Sequence, residues 1–358
     1  MSDMTTRAEP QLHHETELTA LVAPSSRPPA RRVLSNLVRS RELSILLVLF
    51  AVVALATLKT PSFLFSSDGW RDLLLTPAIL VILAIGEAVV VISRNVDLSV
   101  GSVLGITAYL TGRLFIDHPG LPTAVVVVVA VVVGALLGFV NGAIVAWCRV
   151  PALVITLGTL YIYRGVVLTW AGSNRINASD MPEGFQNLGS SSFLSIPLLT
   201  ILAAVVLAVV GYYLYSHRGG REVYAIGSDP DAAELYGLPV RRRVLAAFML
   251  SGSLAGLAGV LFAARYGTVS SNAGTGLELQ AVAAVVIGGV AIFGGTGTVW
   301  GAAIGAVLLV TINRALPILG IQDFWQQAVV GALILAAIVL DRLLAARQAR
   351  RLIEARDQ

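Results

Sequence analysis

The sequence has few charged residues and a single cysteine. Only 13% of its 358 residues are charged, about half of the roughly 25% that is usual in globular domains. By contrast, 56% are hydrophobic and the mean hydropathy is +0.81. A soluble domain cannot bury so much apolar surface, so the composition predicts an all-α polytopic membrane protein. Cys148 alone can form neither an internal disulfide nor a cysteine metal cluster, which excludes a secreted disulfide scaffold.

Lysine is also nearly absent, since Lys59 is the sole lysine among 25 basic residues. A phosphate-binding P-loop needs a Gly-Lys-Ser/Thr step, whereas Lys59 stands in Leu-Lys-Thr with no preceding glycine. The chain is therefore predicted to have no nucleotide site, so any ATP hydrolysis would belong to another subunit. No catalytic triad and no metal-ligand spacing is visible, which predicts no enzyme, no metal and no resident cofactor. The net charge of +4 mostly reflects loop arginines, and nucleic acid is not expected as a partner.

Ten apolar segments approach the roughly 17–25 residues that a membrane span requires. An even number places both termini on one side. Eighteen of the 25 basic residues then lie on that side, and because basic residues concentrate in cytoplasmic loops, both termini are predicted to be cytoplasmic. The predicted spans are 43–58, 72–93, 98–116, 121–147, 151–171, 194–215, 244–266, 278–294, 298–316 and 324–343.

The polar segments define the predicted domain organisation. Residues 1–40 are rich in proline and arginine and are predicted to be a disordered cytoplasmic tail. Residues 41–345 form one transmembrane domain, and residues 346–358 form a short basic cytoplasmic tail. Two loops are long, an external one at 172–193 and a cytoplasmic one at 216–243. Neither has room for a separate enzymatic domain.

The cytoplasmic loop is predicted to contain a short capped helix. Asp229 suits the N-cap, Pro230 suits the first helical position, and Gly237 can adopt the left-handed conformation that ends a helix. Asp231 and Glu234 lie near the positive helix end. The loop could simply connect two spans, or the helix could dock into a partner through the flat face that the small pair Ala232–Ala233 leaves.

Several ordered motifs make this sequence resemble one family, the membrane subunits of bacterial ATP-binding-cassette sugar importers of the ribose permease type. The resemblance covers about 43–343. Its Arg-Asn-Val-Asp-Leu-Ser-Val-Gly segment at 94–101 is most similar to permeases for rhamnose or the furanosyl signal autoinducer 2. The motifs are Asn95–Ser102, Val150–Leu160, Arg164-Gly165, Gly220–Gly237, Gly274–Leu279, Gly288-Gly289 and Gly294–Gly297.

The resemblance implies a plasma-membrane permease without ATPase activity of its own. ATP and magnesium would bind a partner ATPase, and the segment around 229–237 would be the coupling helix that contacts it. A second permease, identical or paralogous, would complete the translocation path. A periplasmic or lipid-anchored binding protein would deliver a small sugar such as rhamnose, a ribose-type pentose or autoinducer 2. The implied coupling residues are Asp229, Pro230, Ala232, Ala233, Glu234 and Gly237.

Polar residues near the spans are candidates for the gate or the path. Arg94, Asp97 and Ser99 could lie at a gate, or Asp97 and Ser99 could cap the next span in a turn at the membrane edge. Glu278 lies within the glycine-rich stretch Gly274–Gly297, which indicates either a broken helix beside a path or close helix packing. Because Val96-Asp97-Leu98 and Leu277-Glu278-Leu279 occupy corresponding positions, they suggest an inverted internal repeat.

Glu87 interrupts an otherwise apolar span, where a carboxylate costs a few kcal/mol. We expect it to face the bundle interior, either on a path or in a structural hydrogen bond. Arg164 could reach outward, contact substrate or pair with Glu87. The alternative function is a proton- or sodium-coupled secondary transporter in which Glu87 carries the proton.

Aromatic and amide side chains near the external span ends are candidates for holding a sugar. Aromatic anchoring at the membrane interface explains the two tryptophans equally well. The candidates are Trp170, Asn174, Tyr266, Asn272 and Trp325.

Overall fold

A computed structural model describes residues 41–148 and 150–322, together with residues 325, 327–329, 331, 332, 335 and 339. The two predicted tails and most of the last predicted span lie outside these residues. The described part is built almost entirely of α-helices, as the composition predicts. The helices are α1 Arg41–Lys59, α2 Ser62–Phe65, α3 Ser67–Leu75, α4 Ala78–Ile92, α5 Val100–Asp117, α6 Thr123–Cys148, α7 Ala152–Ala171, α8 Glu183–Ser190, α9 Leu198–Ser216, α10 Arg218–Ser228, α11 Pro230–Leu235, α12 Val240–Tyr266, α13 Leu277–Ile287 and α14 Val299–Ile318.

The loop between α7 and α9 carries the remaining regular structure. A 3₁₀ turn covers Ala178–Asp180. A two-residue hairpin pairs β1 Ser192–Phe193 antiparallel with β2 Ile196–Pro197, with Ser192 opposite Pro197 and Phe193 opposite Ile196. The predicted external loop therefore contains short structured segments, among them the amphipathic helix α8.

Seven helical segments among the described residues are long and apolar enough to cross a membrane. Each overlaps a predicted span, although α3 and α4 together make one of them. The helix α13 has 11 residues, about 16 Å at 1.5 Å per residue, and covers only half of the roughly 30 Å hydrocarbon core. The seven are Glu42–Lys59, Ser67–Ile92, Thr123–Cys148, Ala152–Ala171, Leu198–Ser216, Val240–Tyr266 and Val299–Ile318.

The bundle is organised around α4, in which every residue is buried. Helix α12 runs antiparallel to it, since Gly86 packs against Ser251 while Ile79 and Phe262 line the same cavity. Helices α5 and α6 pack on α12, and helices α13 and α14 pack on α4. The units α4–α6 and α12–α14 thus pack against each other, with α4 and α12 antiparallel. The predicted inverted repeat stays a prediction.

The bundle has two distinct ends. At one, which we call the loop end, the Gly295 amide donates to the Ile92 carbonyl and the Tyr224 hydroxyl donates to the Gly297 carbonyl. At the other, the far end, Ile176 and Val269 form an antiparallel bridge. The α10–α11 segment therefore lies at the loop end, while the loop from 172 to 197 lies at the far end.

Candidate functional site

The capped helix predicted in the loop is present as α11. The Asp229 carboxylate accepts hydrogen bonds from the amides of Asp231 and Ala232 at 3.1 and 3.0 Å, and Pro230 is the first helical residue. Gly237 has a φ of +76°, a conformation that costs a residue with a Cβ about 1–2 kcal/mol. The predicted local geometry is confirmed.

The surface that α11 presents differs from the predicted one. Ala233 is 4% exposed and packs inward, so it contributes nothing to a flat outer face. The exposed apolar side chains are Leu235 and Tyr236, which are 89% and 87% exposed. The sequence analysis did not single out these two residues, because it assigned the docking face to Ala232 and Ala233. In a helix of fewer than two turns, the sequence does not show which side faces the protein. The outward surface includes these two residues together with Glu234.

A second helix, α10, precedes α11 and was not predicted. Glu222 on α10 accepts hydrogen bonds from Arg218 at 2.8 Å and from Arg243, at the start of α12, at 2.6 Å. The hydrogen bond from Arg243 is the main cause that lowers the pKa of Glu222 below its ordinary value, and the bond from Arg218 adds to it. This three-residue clamp, formed by Arg218, Glu222 and Arg243, fastens α10 to α12.

We expect Glu222→Gln to loosen this junction in a pH-dependent way. Because the folded-state pKa lies below the ordinary value of 4.5, the clamp contributes its full stability above pH 4.5 and loses it as the pH falls through the folded pKa. In detergent at pH 7, Glu222→Gln should therefore have a lower melting temperature than wild type. The difference between the two melting temperatures should shrink below pH 4.5. An equal separation at both pH values would contradict the clamp.

The segment 93–99 between α4 and α5 folds back into the bundle, and Asp97 is its anchor. The Asp97 carboxylate accepts hydrogen bonds from the Ser99 amide at 3.0 Å, the Ser99 hydroxyl at 2.7 Å and the Ser251 hydroxyl at 3.3 Å. Asn141 on α6 donates to the Ser99 hydroxyl at 2.8 Å. One buried turn thereby ties α5, α6 and α12 together.

The segment forms a turn, as one of the two interpretations expected, but the Asp97 and Ser99 side chains are buried within the bundle. Asp97 is 1% exposed and Ser99 is fully buried, so both lie inside the protein. Ser99 occupies the N-cap position of α5, yet its side chain accepts no capping bond from the helix. Instead, the Ser99 hydroxyl donates to the Asp97 carboxylate and accepts from Asn141, so its hydrogen bonds stay within the buried network.

Glu87 belongs to the same network. It is fully buried, as predicted, and its Oε1 accepts a hydrogen bond from the Asp97 amide at 3.1 Å. Its Oε2 has no partner among the described residues. Of the two roles considered for Glu87, the contacts favour the structural one, because the carboxyl group fixes the entry of the Asp97 turn.

Arg94 lies apart from this network, at the loop end. It is exposed and has a φ of +67°, which is unusual for a residue other than glycine. It lines a cavity of about 510 Å³ together with Pro230 and Arg241. The structure therefore places Arg94 beside α11, whereas Asp97 faces inward.

The segment 267–276 forms a second inward turn, which enters from the far end. Arg164 on α7 donates to the Ala273 carbonyl at 2.7 Å, and Glu278 accepts from the Gly276 amide at 3.1 Å. The Oε2 of Glu278 lies against Gly101 of α5. Arg164 therefore neither points outward nor pairs with Glu87; it holds this turn against α5 and α7.

A polar cavity of about 760 Å³ lies at the far end between α4, α12, α13 and α14. The second turn supplies part of its wall, and one side carries the rings of Phe262 and Tyr266, whose centroids are 4.5 Å apart. Hydroxyl and amide side chains supply most of its polar groups. They include Thr76, Ser270, Asn272, Thr275, Gln280 and Asn313.

The aromatic and amide candidates are distributed unevenly around this cavity. Asn272 and Tyr266 line it, whereas Trp170 and Asn174 are not among its lining residues. Trp170 instead makes an edge contact with Tyr109, with ring centroids 5.0 Å apart. Trp325 is exposed. Sequence reasoning did not single out Asn313 or Gln280, because an isolated amide in an apolar segment gives no signal without knowledge of what it faces.

The described acidic, histidine and cysteine side chains do not converge on one point. Across the described part of the chain, no group of three or more histidine, cysteine, aspartate or glutamate side chains could hold a metal ion. The buried carboxylates Glu87 and Asp97 make hydrogen bonds within the protein.

Apolar spans, two inward turns that enter from opposite ends and a capped helix fastened to a core helix describe a polytopic helical membrane protein. The chain belongs to the family described as "Branched-chain amino acid transport system / permease component", whose profile matches residues 71–338. The resemblance to importer permeases that the motifs indicate is thereby confirmed.

Several similar proteins are named as permeases of an autoinducer 2 import system. The "Autoinducer 2 import system permease protein LsrC" of Enterobacter sp. (strain 638) is 36% identical over 310 residues, which cover 86% of this chain and 88% of the relative. Proteins of the same name from Shigella flexneri and Escherichia coli (strain K12 / DH10B) are each 38% identical over 263 residues, covering 74% of this chain and 76% of the relative. No solved structure matches the chain.

Proposed function

We propose that this chain is the permease subunit of an ATP-driven, binding-protein-dependent importer of autoinducer 2 or a closely similar small sugar. The observation that carries the proposal is the similarity to autoinducer 2 import permeases, which extends over 86% of the chain. The motif at 94–101 points to the same subfamily, and the polar cavity at the far end has a size that accommodates a small sugar.

The partner subunits follow from the same proposal. This chain has no P-loop, so a separate ATPase binds ATP and magnesium and contacts the exposed surface of Glu234, Leu235 and Tyr236. A second permease, identical or paralogous, completes the path, and a periplasmic or lipid-anchored binding protein delivers the ligand to the far end. The loop end and both termini then face the cytoplasm of a bacterial cell.

Coupling of ATP binding to transport requires contacts between the ATPase and the permease that differ between the permease's two states. ATP binding can shift the equilibrium between inward-open and outward-open states only if the ATPase contacts the permease differently in the two. Helix α11 provides the contact surface, the Glu222 clamp passes its movement to α12, and α12 extends to Tyr266 at the wall of the cavity. A single rigid helix thus links the ATPase side to the ligand side.

The secondary-transporter alternative receives less support. It requires Glu87 to exchange protons with water or substrate along the path. Glu87 is instead fully buried, and it lines neither the far-end cavity nor the loop-end cavity. The capped helix α11 would also have no purpose in a transporter without an ATPase.

The first experiment is purification of the tagged protein from its native membrane in mild detergent, with an untagged strain as the control. Co-purification of a Walker-type ATPase, and stimulation of its activity by a binding protein loaded with autoinducer 2, are expected. Ribose, rhamnose and leucine are the comparison ligands. Uptake driven by a proton or sodium gradient in liposomes that contain this chain alone would overturn the proposal.

We expect Glu234→Arg and Gly237→Val to impair uptake while membrane insertion stays normal. Glu234→Arg reverses a charge on the docking surface. Gly237→Val strains the end of α11 by about 1–2 kcal/mol. Because about 1.4 kcal/mol corresponds to a tenfold change in an equilibrium constant, this strain is enough to weaken ATPase binding about tenfold. Uptake by reconstituted complexes and the amount of bound ATPase are the measurements.

The matched control for the glycine variant is Gly172→Val. Gly172 also has a positive φ, +54°, and open space around it, but it lies at the far end. It should leave ATPase association unchanged. Normal uptake with normal ATPase association in both Glu234→Arg and Gly237→Val would reject the assignment of α11 as the coupling helix.

A further inference from the structure

We propose that Asn313 on α14 determines ligand specificity in the far-end cavity by pairing with a hydroxyl group of a neutral, polyhydroxylated ligand. This inference rests on the proposed import function and narrows its substrate class. Nothing in the sequence motifs or in the relatives' names assigns a role to this residue. The argument depends on the charges of the cavity, the state of the Asn313 amide and the groups around it.

Of the three charged side chains that line the cavity, Asp72 and Arg314 are already engaged by other groups. Asp72 faces Arg265 at 3.6 Å. Arg314 donates to the Gly69 carbonyl at 3.0 Å, and its guanidinium stacks 4.7 Å from the centroid of the Phe63 ring. Arg175 is exposed. An amino acid carries an ammonium and a carboxylate that both need partners, whereas a neutral ligand needs neither.

Among the described side chains that line the cavity, Asn313 is the one with a buried oxygen that accepts no hydrogen bond. Its Oδ1 is buried without a hydrogen bond among the described residues, and the side chain lines the cavity. The residue as a whole is partly exposed, and a buried amide oxygen without a donor is unfavourable until a hydrogen-bond donor reaches it. A hydroxyl group can both donate and accept, so it can pair with either atom of the amide.

The neighbouring groups complete a site for a small hydroxylated ring. Gln280 and Asn272 contribute two further amides, and Thr275 contributes a hydroxyl. The Phe262 and Tyr266 rings offer an apolar wall for the C–H face of such a ring. Recognition sites of this kind combine an apolar wall with a few fixed polar groups that set orientation.

The test compares Asn313→Leu, Asn313→Gln and the control Asn187→Leu in the complete complex. Asn187 lies at the same end on α8 and is exposed, so its variant makes the same chemical change outside the cavity. We expect Asn313→Leu to lower uptake of autoinducer 2 about three- to tenfold, the range for loss of one neutral hydrogen bond. Asn313→Gln should retain part of the activity, and Asn187→Leu all of it.

A labelling experiment supplies a readout that a purely structural role would not change. Cys148 is the only cysteine, so Asn313→Cys in a Cys148→Ser background gives a single reactive thiol. Binding protein loaded with autoinducer 2 should slow its reaction with a membrane-impermeant thiol reagent, whereas leucine should not. Asn187→Cys in the same background should react equally with and without ligand.

The outcomes separate this inference from the proposed function. If wild type imports autoinducer 2 while Asn313→Leu imports it at the wild-type rate and Asn313→Cys is unprotected, the inference fails and the importer stands. If wild type imports leucine and no neutral hydroxylated ligand, the proposed substrate fails. If ligand protects the Asn313→Cys thiol, and uptake falls strongly in Asn313→Leu and less in Asn313→Gln, the results support both the inference and the proposed function.

Discussion

We expect Gly138→Leu to prevent assembly of the bundle. Gly134 and Gly138 on α6 face Gly252 and Phe248 on α12, and a Cβ at Gly138 would overlap the backbone carbonyl of Phe248. Overpacking a core costs about 1–3 kcal/mol when side chains can yield, and a backbone carbonyl can yield little. In a membrane, helices associate chiefly through such close packing, so the loss has no substitute.

The control is Gly158→Leu on α7, where an added Cβ has no neighbour within 4 Å. Fluorescence size-exclusion chromatography of fusion proteins in detergent should show a monodisperse peak for wild type and Gly158→Leu. Gly138→Leu should give aggregate or no protein. A monodisperse peak for Gly138→Leu with a wild-type melting temperature would show that α6 and α12 can separate without loss of the fold.

Apolar runs were enough to predict most of the helices. The runs at 151–171 and 298–316 become α7 and α14 with ends shifted by no more than two residues. Such runs follow directly from the need to satisfy every backbone hydrogen bond within the bilayer. The capped helix α11 was equally predictable, because Asp229, Pro230 and Gly237 act locally and in sequence order.

The inward turns could not be derived in the same way. The segments 93–99 and 267–276 are short, and the runs on both sides of them are apolar, so hydropathy shows only a break between two spans. Whether such a break lies at the membrane edge or inside the protein depends on partners far along the chain. For Asp97 the deciding partner is Ser251, and for Arg164 it is the Ala273 carbonyl.

The helix α10 escaped prediction for a different reason. Its sequence contains Gly219, Gly220 and Gly227, which are poor helix formers. Tertiary contacts override this preference, because Gly219 and Gly220 let the helix approach α9 closely and Glu222 binds Arg243 on α12. Each glycine lowers helix stability by only about 1 kcal/mol relative to alanine, so tertiary packing readily outweighs it. The sequence alone does not show that packing.

The Asp97 turn yields the second large expected effect. Replacing Asp97 by leucine removes the acceptor of the Ser99 amide and of two hydroxyl groups. A buried donor without an acceptor costs about 1–3 kcal/mol, and the hydroxyls can turn to other acceptors only in part. We expect Asp97→Leu to destabilise the protein by roughly 2–4 kcal/mol, a large share of a typical total stability of about 5–15 kcal/mol.

Two further variants make the measurement specific. Asp97→Asn keeps one acceptor oxygen and should be less destabilised. Asp117→Leu makes the same change at an exposed aspartate whose partner is Arg113 at 2.8 Å, where an ion pair contributes about 0–1 kcal/mol. In detergent, wild type and Asp117→Leu should therefore have similar and highest melting temperatures. Asp97→Asn should melt at a lower temperature, and Asp97→Leu at the lowest. If Asp97→Leu unfolds with Asp117→Leu, the buried turn does not hold α5, α6 and α12 together.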